Sequence, residues 1–254
     1  MERLLSVMEG LKKSLTLGKI SDMTTEMQRI VLSESMKLAD LIDVNFKLLN
    51  VLSRLNISLG FGENTIKEVC ERQGINLNSF LLICNIYTYD SYIPSAELLS
   101  GADPETIVEY LHNSHAFYLD KEFAGLERNL KDMVEPCDAM QKKIVAKFFA
   151  DYKTQVENHF SYEESVVFPY VRAMIEDGRQ ESYSIEQFEE NHSNIDETLN
   201  DLKNIVMKYL PETCDTVLRN EVLYRIYRLE EDLLKHTVIE DSVLIPMVNK
   251  MEER

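Results

Sequence analysis

The chain has 254 residues, 44% hydrophobic and 28% charged, with only eight glycines and six prolines. That describes a soluble globular protein of one or two domains with long helices and few connections. Its 44 acidic and 27 basic residues leave a formal charge of −17, which excludes phosphate backbones and anionic lipid as partners unless a local basic patch exists, and Lys142–Lys143 is too short to be one.

No run approaches the ~18 apolar residues of a membrane span. The opening MERLLSVMEGLKKSL is charged throughout and lacks the apolar stretch of a signal peptide, so a cytoplasmic address is expected. Cys70, Cys84, Cys137 and Cys214 show no CxxC spacing and read as free, mostly buried thiols.

Apolar residues recur at three and four throughout, and sustained alternation is absent, so the chain reads as all-α. Residues 1–95 read as a small domain of short helices. Asp22 or Thr24 is placed to cap one, and Leu38 to Leu52 forms another. Asn64 is placed to cap a segment ending near Gly74, and Asn78 or Ser79 precedes the apolar run from Phe80. The turn-rich string SYIPSAELLSGADPET is the candidate boundary, and Asp103–Pro104 looks like an N-cap followed by proline at the first helical position. Beyond it, four long helical patterns run from about 104 to 134, 137 to 175, 183 to 209 and 214 to 250, broken at Pro136, Gly178 and Pro211. Short connections between them imply an antiparallel four-helix bundle over 104–251.

The string His-x3-Glu-[Glu/Asp]-Ser-Val-x-x-Pro occurs twice, from His159 through Glu163 to Pro169 and from His236 through Glu240 to Pro246. Histidine and glutamate four residues apart share one face of a helix. Each of the four patterns carries a histidine on its apolar stripe, namely His115, His159, His192 and His236. They are separated by 44, 33 and 44 residues, so the two halves repeat with a shift of 77. Four imidazoles and two carboxylates directed into a core would cost several kcal/mol per ionised group without partners, against a whole stability of ~5–15 kcal/mol. Two bound cations remove that difficulty. Imidazole and carboxylate donors suit iron, manganese or zinc, and two shared glutamates with open positions for a small ligand favour iron.

A single histidine on an apolar stripe is ordinarily a hydrogen-bonded core residue, and an apo helical scaffold is the bland alternative. His112, three residues before His115, is the alternative ligand; His115 lies more centrally among apolar neighbours. Glu189-x-x-His192 matches the Glu-x-x-His element of ferritin-like bundles, but that fold needs two copies, so Glu189 reads as a solvated residue. Glu164 and Asp241 read as surface acids or acids just behind the ligands. Tyr110, Tyr118, Tyr152 and Tyr162 are placed to line the bundle.

The segments around His159–Pro169, Glu190–His192 and His236–Pro246, with Ser114–His115, resemble the hemerythrin-like domain. Their ligand set is similar to that of the di-iron proteins of the RIC (repair of iron centres) family. The resemblance implies two iron ions, joined by oxo and carboxylate bridges, held by His115, His159, His192 and His236 with Glu163 and Glu240 bridging. It extends to Leu41–Leu55 and to Lys67–Gly74. The family's Ile-Asp-Phe-Cys-Cys-Gly motif, however, reads Ile57-Ser-Leu-Gly60-Phe61-Gly62 here, without either cysteine. The implied function is repair of iron–sulfur clusters, or iron donation to them, under nitrosative or oxidative stress. The implied partners are nitric oxide, oxygen or oxo species and iron–sulfur client proteins, and a homodimer stays open. Loss of the cysteine pair keeps a second function in play, a di-iron protein that binds or senses oxygen or nitric oxide without repair.

Overall fold

The computed structural model describes residues 32–177, 183–191 and 196–253. The expected caps Asp22 and Thr24 lie outside these residues. No strand occurs among the described residues, and from Glu34 onward the chain is one compact unit. No helix among them is long and apolar enough to cross a membrane.

Among the described residues, five short helices come first: α1 (Leu38–Val44), α2 (Leu48–Arg54), α3 (Ile66–Gln73), α4 (Leu77–Thr88) and α5 (Ala96–Gly101). The single helix expected from Leu38 to Leu52 is two, because Asn45 takes an extended backbone. Its side chain accepts from Lys47 N–H at 3.1 Å and donates to the Tyr87 carbonyl at 2.9 Å, a local bonding choice that competes with the helix. The cap of α3 is Thr65 rather than Asn64. Thr65 and Glu68 close a reciprocal capping box, and Gly74 ends the helix at φ 71°. The cap of α4 is Asn76, which accepts from Ser79 N–H, rather than Asn78 or Ser79.

Four long rods follow. The first is α6 (Pro104–Phe117), a π turn Tyr118–Phe123 and α7 (Ala124–Met133); as expected, Asp103 caps it by accepting from Thr106 N–H. The second is α8 (Ala139–Tyr162), a π turn Glu163–Val167 and α9 (Phe168–Asp177). The third comprises α10 (Ile185–Asn191), α11 (Asp196–Asn204) and a π turn Ile205–Tyr209. The fourth is α12 (Thr216–Ile239), a π turn Glu240–Leu244 and α13 (Ile245–Glu252). The start of the first rod packs on the end of the second, and the start of the third on the end of the fourth, so neighbours run antiparallel.

Prolines explain much of the π geometry. Pro169, Pro211 and Pro246 each follow a π turn within two residues. A proline lacks the N–H for the bond to the carbonyl four residues back and crowds that carbonyl. The residues just before two of them, Phe168 and Ile245, bond five residues back instead, to the carbonyls of Glu163 and Glu240. Gly125 leaves room for the Arg225 guanidinium, which a Cβ there would approach to 2.5 Å and which donates to Glu122 at 3.1 Å.

The short helices are tied to the rods by a buried cation. Arg54, at the end of α2, donates to Asp232 of α12 and to the hydroxyls of Tyr87 (2.8 Å), Tyr110 (3.1 Å) and Tyr118 (3.3 Å). Tyr87 of α4 also donates to Asp232, at 2.5 Å. Removing one partner of a buried pair strands the other charge in a poorly solvated place. Arg54→Ala is therefore expected to lower the unfolding free energy by about 3–5 kcal/mol in urea titration. A change under 1 kcal/mol would show that the hub does not hold the two parts together.

Candidate metal centre

The duplicated motif places its side chains in matching local structures. His159 and His236 occupy the last turns of α8 and α12, and Glu163 and Glu240 open the π turns that follow. The N–H groups of the two glutamates bond back to the carbonyls of their own histidines, so each His–Glu pair sits on an unbroken helical turn. His115 enters from the last turn of α6. Glu163, Glu240, His236 and His115 are all buried.

One ligand atom from each of His115, Glu163, His236 and Glu240 lies within 4.8 Å of all the others. His159 joins through Glu163. One Glu163 oxygen stands 2.9 Å from His159 Nε2, and the other 2.9 Å from His115 Nε2. Glu240 stands 3.0 Å from His236 Nε2, and the Nε2 atoms of His115 and His236 are 3.2 Å apart. Three rods thus converge on one small volume.

The alignment of these contacts carries chemical information. Both oxygens of Glu163 are buried, and neither is the aligned acceptor of a hydrogen bond despite the imidazoles at 2.9 Å. Carboxylate and imidazole lone pairs directed into a shared space suit a cation between them better than they suit each other. The donor set therefore fits a metal ion, and its oxygen and nitrogen composition suits a first-row metal such as iron.

Surrounding groups fix the rings. Glu164 stands 2.7 Å from His115 Nδ1, which sets the ring so that Nε2 faces the cluster, the arrangement common behind metal-binding histidines. Burial disfavours charge on His115, but Glu163 and Glu164 outweigh it and hold its pKa above the ordinary imidazole value. Burial likewise acts to raise Glu164, yet His115 and His112 outweigh it and hold that carboxyl low. The His115 ring is sandwiched between Phe160 at 4.0 Å and Phe168 at 5.4 Å between centroids, both near parallel. Tyr118 meets His236 edge to face at 5.8 Å, and its hydroxyl donates to the Asp232 carbonyl.

Of the residues expected from sequence, His115, His159, Glu163, His236 and Glu240 are brought together, while His192 lies outside the described residues. Between the two alternatives on α6, His115 reaches the cluster. His112 has a side chain 52% exposed and only shares Glu164, at 2.9 Å. The side chain of Glu189 also falls outside the described residues, and Asp241 is exposed. Tyr110, Tyr118 and Tyr152 are buried in the bundle as expected, whereas Tyr162 is half-buried and pairs with the Tyr183 hydroxyl at 2.9 Å. The role of Arg54 was not legible: an arginine at a helix end gives no sign that it is buried.

A comparison with curated proteins and one with solved structures gave no match. The family description Hemerythrin HHE cation binding domain matches residues 106–251, more than half of the chain and all four rods. With histidines and glutamates from three rods converging as that name requires, this chain belongs to the hemerythrin HHE cation-binding family.

Proposed function

We propose that this is a cytoplasmic non-haem di-iron protein that repairs iron–sulfur clusters, or donates iron to them, under nitrosative or oxidative stress. The observation that carries the metal reading is the buried Glu163 carboxylate, facing imidazoles of two different rods through its two oxygens without an aligned hydrogen bond to either. His115, His159, His192 and His236 would hold two ions, with Glu163 and Glu240 between them. His192 is included because the 77-residue repeat pairs it with His115. Bound iron would supply redox chemistry and open positions for nitric oxide, oxygen or an oxo group. The chain's own part is to hold the donors oriented: Glu164 fixes the His115 ring, Phe160 and Phe168 keep water from its faces, and Tyr118 packs on His236.

A second reading, binding or sensing of oxygen or nitric oxide without repair, is favoured by the state of the thiols. Handing iron to a client through the small helices would call for a reactive thiolate. Cys70 and Cys84 are buried instead, and burial pushes the Cys70 thiol up to about 12.

Protein purified from iron-replete cells is expected to contain about two irons per chain, with the near-ultraviolet absorption of a bridged ferric pair. Glu163→Leu with Glu240→Leu should abolish that iron. The same change should leave the metal-free chain as stable as before, or more stable, because it removes two buried carboxylates and the imidazoles can shed their protons. Absence of iron after anaerobic loading of the unaltered protein rejects the centre. Reactivation of a nitric-oxide-damaged iron–sulfur enzyme by the loaded protein, in proportion to iron lost from it, is expected of the repair function. Reversible optical changes with gas and no reactivation would establish the sensor instead.

A further inference from the structure

The two sulfurs Cys137 Sγ and Cys214 Sγ lie 2.7 Å apart, at the end of the bundle away from the histidine–glutamate cluster. Along each of α8 and α12 the separation from that cluster is 20 residues, from Ala139 to His159 and from Thr216 to His236, or roughly 30 Å of helix. The contact is a product of the internal repeat, since 137 and 214 differ by the same 77 residues as the paired histidines. Each cysteine closes an equivalent turn by donating its N–H to the carbonyl three residues back, Val134 or Pro211. Each is followed by an aspartate, Asp138 or Asp215, that caps the next long helix. Arg219 braces the second loop by donating to the Pro211 carbonyl at 2.6 Å. Caps, turns and brace hold the two loops so that the sulfurs face each other.

We propose that Cys137 and Cys214 are a redox-active pair that closes into an intramolecular disulfide when the protein meets a peroxide, stapling the two halves of the bundle together. In the structure both are free thiols, 7% and 2% exposed, and both belong to the apolar core at that end, with Leu130, Val134, Val206 and Leu210. Their separation is within about 1 Å of the ~2.05 Å of a bonded pair, so closure needs little backbone movement. Cys137, the more exposed, is the attacking group. Its sulfur loses a proton and takes one oxygen of the peroxide, the O–O bond breaks, and water leaves. The Cys214 thiol then attacks the sulfenic sulfur, loses its own proton and expels a second water. In sum, two thiols and one hydrogen peroxide give one disulfide and two waters. Burial, and after it Cys214 itself, pushes the Cys137 thiol up to about 11, so the pair rests as thiols. It closes slowly, through the small thiolate fraction at Cys137, with the short sulfur–sulfur distance favouring the second step. The disulfide would close a loop carrying the whole of the second and third rods, and a long closed loop restricts the unfolded chain strongly.

The test uses the full chain, treated with hydrogen peroxide, then denatured, alkylated and weighed, with peptide mapping under non-reducing conditions. The expected result is a loss of two mass units and two alkylatable thiols, with the Cys137 and Cys214 peptides linked and Cys70 and Cys84 still alkylated. Glutathione should restore all four thiols, and the linked form should melt roughly 5–15 °C higher than the reduced one. Cys214→Ser should accumulate Cys137 sulfenic acid, trappable by a dimedone-type reagent. Four alkylated thiols after peroxide, a link between chains or to Cys70 or Cys84, or a linked form that melts no higher would each overturn the proposal. Because the unaltered chain carries the main measurement, a variant that fails to fold does not obscure the answer. The metal centre is not involved, so the result is independent of whether iron binds.

Discussion

The structure is organised around carboxylates kept away from water. Moving an ion into a protein interior costs several kcal/mol even after relaxation, a large share of the margin by which a domain is stable. Here Glu163 and Glu240 are both fully buried, and their ligand atoms share one small volume with those of His115 and His236. Without a cation, the nearest compensation is charge on an imidazole, and His115 shows it: two carboxylates hold its pKa up against burial. That is a partial answer, because one proton cannot neutralise two acids. The rest of the bundle makes sense as the rigid apolar frame that keeps these groups facing each other. Phe160 and Phe168 clamp one ring, and turns widened ahead of Pro169 and Pro246 aim both glutamates inward.

A second buried charge sits directly behind the first group. Asp232 lies one turn before His236 on α12, and Tyr118, which donates to the Asp232 carbonyl, also packs on the His236 ring. Arg54 neutralises Asp232 and gathers hydroxyls from α4 and α6. The short N-terminal helices are therefore part of the wall behind one side of the cluster. The support is one-sided. The repeat places Gln155 where the second half has Asp232, so only the second half offers a carboxylate for Arg54 to bind.

The repeat also explains what could be read in advance. Period and punctuation fixed the four rods to within a few residues, because long amphipathic stripes ending at Pro136 and Pro211 admit few other readings. His–Glu pairs four apart had to share a helix face, and the duplicated motif pointed to the place where His115 meets the two glutamates and His236. Short-range detail was harder. Asn45 breaks a helix through a bond to the Tyr87 carbonyl, a partner 42 positions away. Thr65 and Asn76 won the caps over neighbours of similar chemistry by position alone. Arg54 was invisible because its burial depends on tyrosines far from it in the chain, on α4 and on the first rod. Cys137 and Cys214 were free and buried as expected, but their contact followed from applying the 77-residue shift to more than the histidines.

The altered N-terminal motif completes the contrast between the two ends of the chain. Where the resembled proteins carry two adjacent cysteines, this chain has Gly60 and Phe61. Gly60 adopts φ 96° and Gly62 φ 61°, and at the first of these angles any side chain is strained even though the space around it is open. The glycine is thus built into the backbone: a cysteine at position 60 would require the turn to be reshaped. Nearby, Cys70 is held as a thiol by burial. The N-terminal helices pack against the rods through Arg54, and the loop from Ile57 to Gly62 carries no thiol. Two sulfurs do meet at the far end of the bundle, where a repeated cysteine–aspartate cap sets them face to face.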